Sequence, residues 1–265
     1  MKALILAAGY ATRLRPLTDM RAKELLPVGG RPIIDWILDG IHEVHEIDSV
    51  HVVTNARKAP WFETWLEGHN VAQNDVAQNN VVLHDDGTKS NDDRLGAIGD
   101  LAHVLKRVGG HDDWLVIAGD NLFEFSLAEF VSYWRGEGVA SAVAVRDVGS
   151  RELASRYGIV ALAPDHKIVD FVEKPADPPS TLAATATYIF HRSHLALVAT
   201  YLAEGNSPDQ PGRFVGWLQA REPVYAWTFE DAWYDIGDEA QLLEADNHLR
   251  ARHGLPLRTA YEPDS

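Results

Sequence analysis

Apolar and polar positions fall into two kinds of block along this chain. Short unbroken apolar runs bounded by small or polar residues read as buried strands: Lys2–Leu6, 50–54, 81–83 and Trp114–Ala118. Between them, apolar residues recur every three or four positions, the period of a helix. Over 32–44 the recurring residues are Ile33, Ile34, Ile37, Ile41 and Val44. A short helix is predicted over 61–66 and a longer one over 97–108, closed by Gly109 and Gly110. Ser126 is placed to cap another helix running to about Arg135. This alternation implies right-handed crossovers and a mostly parallel sheet, an α/β chain.

The second half is richer in strands, predicted over 139–145, Gly158–Leu162, 167–172 and 185–190. Pro164, Asp165 and His166 mark a turn between two of them. A last strand near 224–227 precedes Trp233-Tyr234-Asp235-Ile236-Gly237. Asp238 then caps a terminal helix, Glu239–Arg252. The tail from Gly254 onward is polar and Pro-rich, and is expected to fray. The polar stretch 73–94, apart from Val81-Val82-Leu83, reads either as a surface linker or as a substrate-facing loop. No internal repeat is present.

Composition narrows the function. The 265 residues, 46% hydrophobic, suffice for one large α/β domain. The formal net charge of −15 argues against nucleic acid as a partner, which calls for a basic surface. No cysteine is present, so there is no disulfide framework and no thiolate metal site. The opening Met1–Ala8 run is too short for the apolar core of a signal peptide. No apolar run approaches the ~18 residues of a membrane helix. The expectation is a cytoplasmic protein without a membrane partner. His42 and His45 read as a solvated helix face rather than a zinc pair, and no Gly-x-Ser-x-Gly elbow points to a serine hydrolase of that type.

The candidate chemistry begins where Lys2–Leu6 runs into Ala7-Ala8-Gly9-Tyr10-Ala11-Thr12-Arg13. A strand opening into a loop of small residues presents backbone N–H groups to a phosphate chain. Neither the Walker loop nor the Gly-x-Gly-x-x-Gly fingerprint is present. An acidic chain that handles anions must gather its cations in the site, and Arg13, Arg15, Lys23 and Lys174 are the candidates. A phosphate loop with cations and no evident base suits transfer of a phosphoryl or nucleotidyl group. Asp120 ends a strand, where ligands of open α/β sheets bind; it could hold Mg²⁺ or cap the following segment. Asp235 could converge on the same metal or be a solvated loop carboxylate. Glu173-Lys174-Pro175 could position a cation at a strand end or be a surface ion pair.

The segment from Leu6 to Val28 resembles the signature of sugar-1-phosphate nucleotidyltransferases, Leu-Ala-Ala-Gly-x-Gly-Thr-Arg-Leu-x-Pro-Leu-Thr followed by Pro-Lys-x-Leu-Leu-Pro-Val. It departs twice: Ala11 replaces the second glycine and Ala22 the proline before the lysine. Gly119-Asp120, Trp-x-Asp-x-Gly at Asp235, Glu173-Lys174-Pro175 and Tyr157-Gly158 extend the likeness over nearly the full length. Thr185-Ala186-Thr187-Tyr188 matches the family's Thr-Gly-x-Tyr only partly, with Ala186 for glycine.

The resemblance implies a three-layer αβα nucleotide-binding domain with a mostly parallel mixed central sheet. It divides into a nucleotide half (1–136), a sugar-phosphate half (137–237), and a terminal helix and tail (238–265). It implies Mg²⁺-dependent coupling of an NTP to a sugar 1-phosphate, giving an NDP-sugar and pyrophosphate. Leu6, Ala8, Gly9, Ala11, Thr12, Arg13 and Gly96 would contact the nucleotide. Arg13 and Lys23 would act in catalysis. Gly158, Glu173 and Lys174 would bind the sugar phosphate, and Asp120 and Asp235 the metal. Ala11 is expected at negative φ, its methyl merely narrowing the pocket. The glutamine of thymidylyltransferases is not evident in 90–97. Thymidine and uridine triphosphates are the first expectation for the base. A cytidylyltransferase acting on a phosphorylated alcohol such as phosphocholine is the alternative, and a noncatalytic regulatory relative is a third. A homo-oligomer is compatible with the resemblance.

Overall fold

The computed structural model describes residues 1–72 and 80–263. Part of the polar stretch 73–94 thus lies outside the described residues. Nine strands form one mixed sheet. Lys2–Leu6 lies at its centre, parallel to Ser49–Thr54 on one side and to Trp114–Ala118 on the other. Asn80–Asp85 continues the parallel run outward. Leu182–Phe190 is antiparallel to Trp114–Ala118, and Ser141–Asp147 and Val224–Phe229 extend the sheet beyond it. The hairpin Gly158–Leu162 and Ile168–Glu173 joins through Ala183. Parallel pairing therefore dominates the first half, and antiparallel pairing enters with the second.

Helices cover both faces because the central strands are apolar on both. Ile33–His42 and Leu127–Gly136 pack on one side, with Ile34, Ile37, Ile41, Phe130 and Trp134 buried. Ala97–Val108 and Pro211–Gln219 pack on the other, burying Leu101, Val104, Phe214 and Leu218. Ser126 accepts from Glu129 N–H and Asp238 from Gln241 N–H, so both predicted caps are made. The short helix expected over 61–66 is the longer Ala59–Ala72.

Three features differ from expectation. Helices Arg192–Leu195, Val198–Ala203 and Pro211–Gln219 have no counterpart in the sequence reading. Two are too short to show a period, and the third carries Pro211, Gly212 and Gly216, which mask it. The tail does not fray over 255–261. Asn247 and Arg258 exchange side-chain and backbone hydrogen bonds, and buried Tyr261 donates its hydroxyl to Pro27 O at 2.7 Å. Finally, Asn121–Phe123 and Trp233–Asp235 form a small antiparallel ladder outside the main sheet. That ladder brings together two segments more than a hundred residues apart.

A candidate active site at the carboxyl ends of the strands

The first wall is the loop after Lys2–Leu6. Its carbonyls turn into the protein. Thr54 Oγ1 donates to Ala7 O at 3.3 Å, Asn55 Nδ2 to Ala8 O at 2.8 Å, Lys58 Nζ to Gly9 O, and Thr18 Oγ1 to Ala11 O at 3.0 Å. Among the described residues no acceptor is bonded to the N–H groups of Ala8, Gly9, Tyr10 or Ala11. Such a row of unsatisfied donors is suited to an anion. Ala11 departs from the expectation of negative φ. It sits at φ 46°, ψ 42°, the left-handed region, because the chain must turn there into the 3₁₀ segment Thr12–Leu14. Ala22, by contrast, holds φ −63°, ψ 145°, the geometry proline would impose. A proline at the second departure from the signature would fit this backbone.

The second wall carries the charges. Lys23, 8% exposed, places its ammonium 2.5 Å from Asp120 Oδ2. Asn121 donates to the other Asp120 oxygen at 2.9 Å and is itself held by Trp233 Nε1 at 2.6 Å. Ile236 N–H bonds Asp120 O, so the small ladder sets Asp235 beside Asp120. The Arg13 guanidinium reaches the same place: a Cβ on Gly237 would lie 2.9 Å from its Nη2.

Electrostatics within this group are uneven. Burial favours neutral Lys23, but Asp120 and Glu24 outweigh it and hold the ammonium above its ordinary range. Burial pushes the Asp120 carboxyl up, and Lys23 more than reverses this. Among the described residues Asp235 has no such partner. Burial and the Asp120 charge push it up to about 6, against the pull of Lys23, Lys174 and Arg13. Two oxygen-donor carboxylates, one uncompensated, suit a hard divalent cation that keeps part of its water shell. Among the described residues no group of three or more His, Cys, Asp or Glu side chains is gathered for a metal.

The third wall is a cavity of about 210 Å³ lined by Asp120, Asp235, Tyr157, Glu173, Lys174 and Gln210, among others. Phe171 forms part of its floor and fits between Gly158 and Gly212, where a Cβ on either would collide with the ring tip. Burial pushes the Glu173 carboxyl up, against the pull of Lys174 and Arg213. Lys174 is exposed and held at φ 47° by its N–H bond to Tyr157 O at 3.0 Å. Ala186, at φ 53°, sits in an irregularity of its strand and lines the same cavity.

Lys23 meets Asp120, Arg13 reaches Gly237 two residues after Asp235, and Gly158, Glu173 and Lys174 line one cavity with Asp120 and Asp235, while Leu6, Ala8, Gly9, Ala11 and Thr12 lie on the loop and strand end that form the first wall. Gly96 is explained by packing: at φ +77° its missing Cβ would stand 2.7 Å from Pro208 O. The sequence reading missed Asn55, Lys58, Glu24 and Gln210. Asn55 alone carried a signal, as a polar residue directly after an apolar strand.

This arrangement is that of a nucleotide-handling α/β protein. The chain belongs to the nucleotidyl transferase family, whose model matches residues 2–252. It is 30% identical over 244 residues to a UTP–glucose-1-phosphate uridylyltransferase of Synechocystis sp., covering 89% of this chain and 60% of that one. It is 27% identical over 252 residues to the bifunctional protein GlmU of Methanocaldococcus jannaschii, covering 94% and 54%. The chain therefore spans little more than half the length of these relatives. Among solved structures, a UDP-glucose pyrophosphorylase complexed with UDP-glucose superposes with a TM-score of 0.80 at 23% identity, covering 95% and 98%. A UTP-bound enzyme from Acinetobacter baumannii gives 0.77 at 24%, covering 95% and 94%. These two likenesses concern the fold. No helix among the described residues is long and apolar enough to cross a membrane.

Proposed function

We propose that the chain couples an NTP to a sugar 1-phosphate, releasing pyrophosphate and forming an NDP-sugar. The observation that carries the reading is the meeting of Arg13, Lys23, Asp120 and Asp235 between the N–H-lined loop and the cavity of Glu173 and Lys174. In this reading a sugar-phosphate oxygen attacks the α-phosphorus in line, and the bond to the bridging oxygen breaks. The attacking phosphate is already ionised at neutral pH, so no protein base is needed. The loop N–H groups and Arg13 hold the β- and γ-phosphates. Lys23 neutralises charge growing on the departing pyrophosphate. Lys174 anchors the sugar phosphate, and Glu173 accepts from sugar hydroxyls. Asp120 and Asp235 would hold Mg²⁺, which supplies charge neutralisation across the reacting phosphates when bound.

UTP with glucose 1-phosphate is the leading pair, because the Synechocystis relative is a uridylyltransferase of that kind. The test is pyrophosphate release from UTP, dTTP, CTP, GTP and ATP, each with several hexose 1-phosphates and with phosphocholine. Turnover with a hexose 1-phosphate supports the proposal. Turnover with CTP and phosphocholine alone would make the chain a cytidylyltransferase of phosphorylated alcohols. Silence across the panel would make it a noncatalytic binding protein.

A further inference from the structure

Beneath the phosphate loop lies an ion pair that the reading above does not use. Lys58 and Glu24 side chains are each 3% exposed, with Nζ 3.5 Å from Oε2. Lys58 also donates to Gly9 O. Buried this deeply, the ammonium cannot reach a ligand. A buried ion pair is weak evidence for stability, since desolvation offsets much of the attraction. Its placement is the informative feature.

Each end of the pair belongs to a different part of the candidate triphosphate site. Through Gly9 O, Lys58 grips the loop whose N–H groups are unsatisfied. Asn55, three residues earlier, grips the next carbonyl at Ala8 and caps Lys58 N–H at 3.1 Å. Glu24 lies in the 3₁₀ turn Lys23–Leu25, next to the lysine that meets Asp120. Its Cγ passes over Gly119, where a Cβ would stand 2.9 Å away, so the stem also braces the residue before Asp120. One buried ammonium thus ties the N–H row, the Lys23 turn and the Asp120 strand end together.

We propose that Lys58 is a positioning residue for the triphosphate. By drawing the Gly9 carbonyl and the Glu24 carboxylate to one point, it turns the loop N–H groups outward and fixes their distance to the Lys23 ammonium. The inference rests on the NTP-binding reading above. A cation that acts only by orientation should govern triphosphate affinity and leave the sugar-phosphate cavity alone, because neither Lys58 nor Glu24 is among the residues that line the cavity of Glu173 and Lys174.

The test uses the full chain and calorimetric titration with Mg²⁺ and each common NTP, beside steady-state kinetics and thermal unfolding. Lys58→Met keeps the stem and removes the charge. The double variant Glu24→Gln with Lys58→Met also removes the orphaned carboxylate and should recover most of the stability lost by the single one. Both should bind the preferred NTP at least tenfold more weakly, with KM for the sugar phosphate within twofold. A folded double variant that binds NTP as tightly as the unmodified protein would overturn the proposal. So would an equal rise in both KM values, or loss of the fold in both variants, since the role would then be structural. If the unmodified protein binds no NTP, the proposed function fails first and this inference with it.

Discussion

The Lys23 ammonium sits 2.5 Å from the Asp120 carboxylate, while Asp235, beside them, has no ion-pair partner among the described residues. Lys23, Lys174 and Arg13 all pull the Asp235 carboxyl down, yet burial and the Asp120 charge outweigh them. Asp235 should gain most from a metal, and its uncompensated charge should be a cost to the metal-free fold.

Asp120→Asn and Asp235→Asn should each cut Mg²⁺-dependent turnover by roughly 10³-fold with the fold intact, because losing a metal ligand removes several kcal/mol of transition-state stabilisation. The metal-free proteins should diverge. Asp235 titrates higher in the folded state than in the unfolded chain, so its contribution to stability falls as pH rises from about 4 through about 6. Asp235→Asn should raise the metal-free Tm at pH 8, and added Mg²⁺ should raise the Tm of the unmodified protein more than that of the variant. Near-normal turnover of either variant at limiting Mg²⁺ would remove that residue from the ligand set.

Lys23→Ala should lower kcat more than it raises KM, because charge on the leaving pyrophosphate grows in the transition state. Lys174 is exposed at the mouth of the cavity, so Lys174→Ala should chiefly raise KM for the sugar phosphate. Matching kinetic signatures for the two would defeat this division of roles.

Ala11 and Ala186 both occupy left-handed backbone, at φ 46° and 53°. An L side chain there costs about 1–2 kcal/mol, more than the ~0.4–1 kcal/mol of unfolded-state entropy a glycine adds. Ala11→Gly and Ala186→Gly should each stabilise the protein by roughly 0.5–1 kcal/mol. The gains should add, since the sites are independent. Urea unfolding of the two single variants and the double variant measures this. Either glycine lowering stability would mean that its methyl group contributes packing that outweighs the strain.

Asp100, buried at 5% exposure with Oδ1 unbonded among the described residues, is pushed up to about 8 by burial and by the neighbouring Asp86. Its folded-state value exceeds the unfolded one, so its contribution is fully present below about pH 4 and is lost as pH rises towards 8. Asn mimics the protonated acid. Asp100→Asn should therefore match the unmodified protein near pH 4 and exceed it by about 2–4 kcal/mol at pH 8.5. Denaturant titrations across that range would show a constant difference if the group does not titrate there.

Much of this molecule was legible locally. The strands Lys2–Leu6 and Trp114–Ala118 and the caps at Ser126 and Asp238 each depend on a few neighbouring residues, and each took its expected form. Ala22 keeps the extended backbone that a proline would also adopt. Other features were decided only when distant segments met. The tail stays ordered because Tyr261 finds a carbonyl 234 positions away. Ala11 takes positive φ because Thr18, Lys58 and the 3₁₀ turn fix the loop around it. Lys23 meets Asp120 across 97 positions, and Asp235 joins them through a ladder of three residue pairs. Secondary structure follows from backbone sterics and periodic burial, which a short window of sequence contains. Charge compensation and loop strain depend on which buried groups share one low-dielectric space, and only the folded chain determines that.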